Sequence, residues 1–346
     1  MRMPACVVCA AGALVVVSAG GLCGCGGLRW RSDEHYRRVA DDSFVAAQLA
    51  LDQDDDVAAL EALNRALEAD PRLSTAHAAV GDIHWRRQDM EMAVTAYERA
   101  VAANAWNFRN HYNCAFLHQS LADRPLSPRE ITAHLERSVE LYARAAELYP
   151  SDYDARLNLG VCLLLLERHE DAEDALRAAI ALDPDMPEAY ADLGLLYDRL
   201  ETRPFDAMEM YNRSLELKAD QPQVLMNLAR IQASRQRLET ALANYERAFA
   251  MDPTSAAAVE RIGYCQFQLG QVERAQASYA RALELDAGLA LAHRGMGVVL
   301  MSRYLKAEGA DPALRAGALD HWRTSLELDG RQEDLEHLLR KYAPAE

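Results

Sequence analysis

Small and bulky apolar residues recur along this chain with a fixed beat. Ala47, Gly81, Ala115, Gly160, Gly194, Ala229, Gly263 and Gly297 stand at steps of 34, 34, 45, 34, 35, 34 and 34 residues. A second small column follows at Ala59, Ala93, Ser138, Ala172, Ala207, Ala241, Ala275 and Ala318. Four residues beyond each member comes a bulky side chain: Leu63, Tyr97, Tyr142, Leu176, Tyr211, Tyr245, Tyr279 and Trp322. Three further on stand Ala66, Ala100, Ala145, Ala179, Ser214, Ala248, Ala282 and Ser325. Offsets of four and seven place these last three columns on one face of a helix. Five residues later Pro71, Pro150, Pro184 and Pro253 close four of the units, because proline cannot continue a helical ladder.

Each unit therefore reads as two helices whose facing sides are small enough for their axes to approach. One hairpin of this kind cannot bury its apolar face alone, so units must stack. The pattern predicts an all-α fold of about eight helix–turn–helix units over residues 40–332. Two units are longer. In the third, Ser127-Pro128-Arg129-Glu130 reads as a capping box with proline at the first helical position, so its insertion is expected to lengthen the second helix. The eighth is expected to do the same, with Asp311-Pro312 starting its second helix. Residues 333–342, EDLEHLLRKY, read as a capping helix, followed by a tail to residue 346.

This pattern resembles the tetratricopeptide repeat, a 34-residue helix–turn–helix. The chain departs from it where the family often places Trp, having Ser43, His77, His111, Arg156, Tyr190, Leu225, Val259 and His293 there. The resemblance implies a right-handed superhelical α-solenoid whose first helices line a concave groove for a protein or peptide partner. The columns that match groove positions are Tyr112, Phe116 and Gln119; Leu157, Val161 and Leu164; Met226 and Arg230; and Tyr264 with Phe267. Beside them run Asn113, Asn158, Asp192, Asn227 and Arg261. In the family an Asn in that column can hydrogen-bond a ligand's main chain. The alternative is that it serves the fold, and both readings stand here. The Lys and Arg set that family members use to clamp a C-terminal carboxylate is absent from the middle units.

The first 28 residues carry a single charge, at Arg2. Within them Leu22-Cys23-Gly24-Cys25 resembles the bacterial lipobox. That resemblance implies removal of residues 1–24, lipid attachment at Cys25 and a linker over 25–39, in a protein of the bacterial cell envelope facing the periplasm. The alternative is a single-pass membrane anchor. Arg29, Arg31, Arg37 and Arg38 behind it would, by the positive-inside rule, leave the body in the cytoplasm.

Composition narrows the function classes. The 346 residues include 53 Asp plus Glu against 37 Lys plus Arg, a formal charge of −16. That sign opposes nucleic acid as a partner, since binders of polyanions need a positive footprint. No G-x-S-x-G, phosphate loop, G-x-G-x-x-G or H-E-x-x-H occurs. Four of the seven cysteines lie in the first 25 residues; Cys114, Cys162 and Cys265 read as small buried hydrophobes. Asp52, Asp54 and Asp56 alternate like a calcium loop, but Val57 and Leu63 occupy the places that need Gly and Glu, so a solvated turn is expected. His169-Glu170-Asp171 with Glu173 and Asp174 suits a helix start. His77, His84, His111 and His118 form pairs seven residues apart, roughly 10.5 Å along a helix and too far to share a metal. They are expected as core histidines.

The sequence thus predicts a non-catalytic, membrane-tethered scaffold without cofactor or metal, holding protein partners for envelope, secretion or pilus assembly. The alternative is a regulatory or substrate-recruiting subunit of an enzyme complex. Intact-mass analysis of membrane-extracted protein is expected to show loss of residues 1–24 and a lipid adduct. A mass that retains those residues overturns the lipoprotein expectation.

Overall fold

The computed structural model describes residues 25–342, with side chains from Glu34 onward. The segment expected as signal or anchor, residues 1–24, lies outside them. Seventeen helices and no strand are found among the described residues. They fall into two compact units, one ending at Ala105 and one beginning at Trp106.

The first unit holds two hairpins, α1 (Cys25–Leu51) with α2 (Asp56–Ala69) and α3 (Ser74–Arg86) with α4 (Met90–Ala103). The backbone of Cys25 opens α1, so residues 25–39, expected as a linker, are helical. Beyond Gly27 that stretch has neither Gly nor Pro to interrupt a helix. The aspartates at 52–56 serve an interhelix turn, as expected. Asp55 caps α2 by accepting from the Ala58 amide at 3.0 Å. Asp56 pairs with Arg86 and Arg87 at 2.7 and 3.2 Å.

The second unit holds six hairpins: α5 (Phe108–Ala122) with α6 (Pro128–Leu148), α7 (Tyr153–Leu165) with α8 (His169–Leu182), α9 (Pro187–Arg199) with α10 (Pro204–Leu217), α11 (Pro222–Ser234) with α12 (Leu238–Met251), α13 (Ala256–Gln268) with α14 (Val272–Leu285), and α15 (Ala290–Lys306) with α16 (Pro312–Leu328). A last helix, α17 (Glu333–Tyr342), follows. Within this unit each second helix packs on the first helix of the next hairpin. The hairpin turn repeats one device. Gln88, Glu167, Gln236 and Gly270 take positive φ of 62, 59, 60 and 76°, and the two amides that follow the helix fold back onto its last carbonyls.

The four columns are the core. All eight members of the second small column are 0% exposed, and no member of the bulky column exceeds 3%. The first column explains why small residues are needed. A Cβ built on Gly194 would stand 2.7 Å from Cδ1 of Tyr211, and one on Gly160 would stand 2.7 Å from Cγ of Leu176. The bulky side chain of the second helix lies flat on the backbone of the first.

Ser127 and Glu130 form the capping box. The Ser127 amide donates to Glu130 Oε2 at 2.9 Å, and the Glu130 amide donates to Ser127 Oγ at 3.4 Å. Behind this cap α6 runs to 21 residues, against 14 in α8, α10, α12 and α14. The eighth unit differs from expectation: α15 and α16 have 17 residues each, so its insertion is shared by both helices. The reason is the turn, where Glu308 and Gly309 take positive φ of 51 and 80° and end α15 only after Lys306.

Two substitutions weigh helix propensity against packing. Replacing Gly by Ala inside a helix gains up to about 1 kcal/mol, while overfilling a packed core costs about 1–3 kcal/mol. Gly194→Ala is therefore expected to lose about 1 kcal/mol or more in denaturant melts. Gly317→Ala meets only the flexible end of Leu300 at 3.3 Å, and is expected to gain a fraction of a kcal/mol, about half that propensity term. Equal signs for the two would refute the close-approach account.

Candidate functional site

Once the small columns are committed to the hairpin, the first helices of the second unit still present a side away from their partners. In α13 and α15 that side opens onto a cavity of about 300 Å³. Tyr264, Phe267, Leu291 and Val298 line it, with Arg261 and Arg294 beside them. The ring of Tyr279 lies against Gly295 on its floor and leaves no room for a Cβ. A second cavity of about 450 Å³ lies where α15 and α16 meet α17, among Val298, Met301, Leu305, Trp322, Leu338 and Tyr342.

The charges on this side are balanced within the fold. Arg261 pairs through Nε with Glu260 at 3.2 Å, and burial raises the Glu260 carboxyl above its ordinary range. Arg294 of α15 pairs with Asp334 of α17, and Arg230 of α11 pairs with Asp198 of α9. Asp192 of α9 differs. Burial, reinforced by the neighbouring Glu188 carboxylate, pushes its pKa up to about 7. Burial also raises the nearby Tyr153 phenol, with Glu188, Asp154 and Asp192 adding to the shift.

The residues expected on the groove fall into three groups. Tyr264, Phe267 and Arg261 line the 300 Å³ cavity. Phe116 is exposed at 36%, Arg230 is exposed, and Asn113, Leu157, Val161 and Met226 are partly so. A third set is engaged in the fold. Tyr112 stacks edge-on against Tyr142 at 5.5 Å and accepts from Asn158 Nδ2 at 3.2 Å, linking α5 to α7. Asn227 accepts from Gln223 at 3.2 Å, and Gln119 accepts from the Tyr142 hydroxyl at 3.0 Å. Leu164 is only 2% exposed and belongs to the core. It is a correction to the expected stripe, because it packs into the cluster that holds Leu196, Tyr197 and Tyr211 of the next hairpin.

Leu291, Arg294, Gly295 and Val298 were not among the residues expected from the sequence. Relative to Gly297, Arg294, Gly295 and Val298 stand in the registers that Met226, Asn227 and Arg230 hold relative to Ala229, so their signal was present, while Leu291 falls in no expected column. The ion pairs of Arg230 and Arg294 carried no such signal, since their acids come from other hairpins.

Stacked helical hairpins with an open first-helix side define a helical-repeat protein. The family model for the cilia and flagella-associated protein 70 C-terminal domain, a tetratricopeptide model, matches residues 40–296, and the chain belongs to that family. It is 26% identical over 144 residues to human protein O-mannosyl-transferase TMTC1, covering 40% of this chain and 16% of that protein. It is 27% identical over 204 residues to the type IV pilus assembly protein PilF of Pseudomonas aeruginosa, covering 56% of this chain and 75% of PilF. The chain spans 14–29% of the length of the first four curated relatives it matches. The solved structure of the tetratricopeptide protein YrrB superposes with a TM-score of 0.50 at 20% identity, over 58% of this chain and 99% of that one. The P. aeruginosa pilF structure gives 0.52 at 18%, over 63% and 94%. These likenesses establish the fold.

Asp192 makes the stability of the fold sensitive to pH. A carboxyl in the unfolded chain titrates near 3.9, while in the fold this one keeps its proton to about 7. Folding takes up a proton between those values, so stability falls as pH rises through that window. Asp192→Asn is expected to unfold at a higher temperature than the wild type at pH 8, with the gap narrowing towards pH 4. Parallel melting curves across that range would contradict the assignment.

Proposed function

We propose that this protein is a non-catalytic scaffold for protein–protein interaction, taking a partner's peptide or helix on the first-helix side of its second unit. The observation that carries the reading is the cavity between α13 and α15, where aromatic and aliphatic walls stand beside paired arginines. Apolar area supplies affinity in such sites and a few polar groups supply register. Arg294 can exchange Asp334 for a partner's carboxylate or carbonyl at small net cost, because partly exposed pairs are individually weak, while Arg261 stays against the buried Glu260 and offers its remaining N–H donors. YrrB is a tetratricopeptide protein with an unusual peptide-binding site, which agrees with this reading.

The scaffold is further proposed to be tethered to the bacterial envelope through Cys25, holding partners during envelope, secretion or pilus assembly. The likeness to PilF, named as a pilus assembly protein, supports that direction. A second reading, a substrate-recruiting part of an enzyme complex, draws support from the likeness to a protein O-mannosyl-transferase.

A photo-crosslinking residue placed at Phe267 in the full chain, in its own membrane, is expected to capture a discrete protein partner. The same residue at Glu246, on the exposed side of α12, is expected to capture none. Arg261→Ala with Tyr264→Ala should abolish the adduct while helical content stays unchanged. Equal capture at Phe267 and Glu246 would rule out the groove.

A further inference from the structure

The insertion in the last hairpin builds a wall that the four hairpins before it lack. α15 has 17 residues, against 13 in α7, α9, α11 and α13, and its added turn ends in Leu305 and Lys306. Both side chains line the cavity of about 450 Å³ where α15 and α16 meet α17. That volume falls in the range of small-molecule sites, roughly 300–1,000 Å³. Met301 and Trp322, both buried, lie deepest in it, and Leu338 and Tyr342 of α17 form the facing wall. Leu305 is left 51% exposed. The cavity shares only Val298 with the one between α13 and α15.

Its polar groups are few. The Trp322 ring N–H already donates to the Arg294 carbonyl at 3.3 Å. Ser302 and Lys306 stand one turn apart on the same face of α15. The chain has three lysines. Lys218 faces Glu188 at 3.8 Å. Lys341 places Nζ 5.1 Å from the centre of the Tyr342 ring, and Lys306 has no ion pair among the described residues. Two of the three lysines therefore stand at this one cavity, on a chain whose formal charge of −16 is elsewhere unfavourable to an anion.

We propose that the cavity binds an unbranched fatty acid, its hydrocarbon against Met301, Leu305 and Leu338 and its carboxylate at the mouth beside Lys306. A lysine stem lies along an apolar wall while its ammonium stays in water, which suits a ligand with one charged end. An extended peptide fits worse, because it carries an amide in every residue and would leave several of them unpaired against apolar walls. Buried methylenes supply the affinity, and Lys306 decides which end stays outside.

The test titrates the full chain, kept soluble in amphipol, with octanoate, decanoate and dodecanoate in a calorimeter. Saturable binding is expected, each step of that series tightening it about 10-fold. Lys306→Gln, at an exposed position, is expected to weaken decanoate about 5-fold and to leave decanol at the wild-type affinity. Leu305→Gln, also exposed, is expected to weaken decanoate and decanol alike by about 10-fold, with helix content unchanged. Lys218→Gln is expected to match the wild type. Absence of saturable binding overturns the proposal, whatever Phe267 captures. So does equal decanoate affinity in the wild type and Lys306→Gln. Binding to anionic phospholipid vesicles without binding of free decanoate also overturns it, and assigns the two lysines to a membrane surface.

Discussion

The structure depends on one contact repeated in each hairpin: a bulky side chain of the second helix laid flat against a residue of the first that is almost without a side chain. Gly160 under Leu176, Gly194 under Tyr211 and Gly263 under Tyr279 are the same contact. A buried aromatic ring removes about 150–250 Å² from water. At roughly 25 cal/mol per Å² that is several kcal/mol per hairpin before entropy is set against it. The gain requires the helices to be close enough for both ring faces to be covered. Small residues at the other buried columns, 0–2% exposed throughout, let the next hairpin do the same.

The tips of these rings tie the core to the open side. The Tyr97 hydroxyl donates to Asp82, and that of Tyr142 donates to Gln119, both on the first helix of the same hairpin. Burial pushes the phenols of Tyr142, Tyr211, Tyr245 and Tyr279 upward, so they stay neutral. Because packing is settled by four columns, the remaining first-helix positions are released from it. They carry Phe116, Asp192, Arg230, Tyr264 and Arg294, as dissimilar as the core columns are uniform. Pairs such as Arg230 with Asp198 join neighbouring hairpins. Their effect is to fix which side chains the face presents.

The architecture was legible because its determinants lie within single hairpins at fixed separations, where a repeated sequence exposes them. Capping by Ser127 and the helix at 333–342 were legible for the same reason, as local signals. What could not be read was contact between residues with no constant spacing. His134 meets His118 from outside the columns, Asp334 reaches Arg294 from 40 positions away, and Asn158 finds Tyr112 across 46. The site was legible as a side of each first helix, but not as the cavity of α13 and α15, whose depth comes from Tyr279 lying on Gly295.

The last helix shows how the same grammar closes the stack. Gln221 at the start of α11 holds Ser214, and Gln332 before α17 holds Ser325 through the same bonds. In that register α17 is a first helix. Leu335 takes the place of Val224 and Leu339 that of Leu228, which keeps the side facing the preceding hairpin. Its other side is altered. Arg340 stands where α11 has Ala229, and Glu336 where it has Leu225, and the two pair at 3.2 Å. A further second helix laid there would meet a guanidinium where every other unit offers Gly or Ala. It would also have to bury an ion pair, whose desolvation costs several kcal/mol per ion. Two residues thus set α17 apart from the other first helices: its inward side still accepts the preceding hairpin, and its outward side carries an ion pair in place of the small residue.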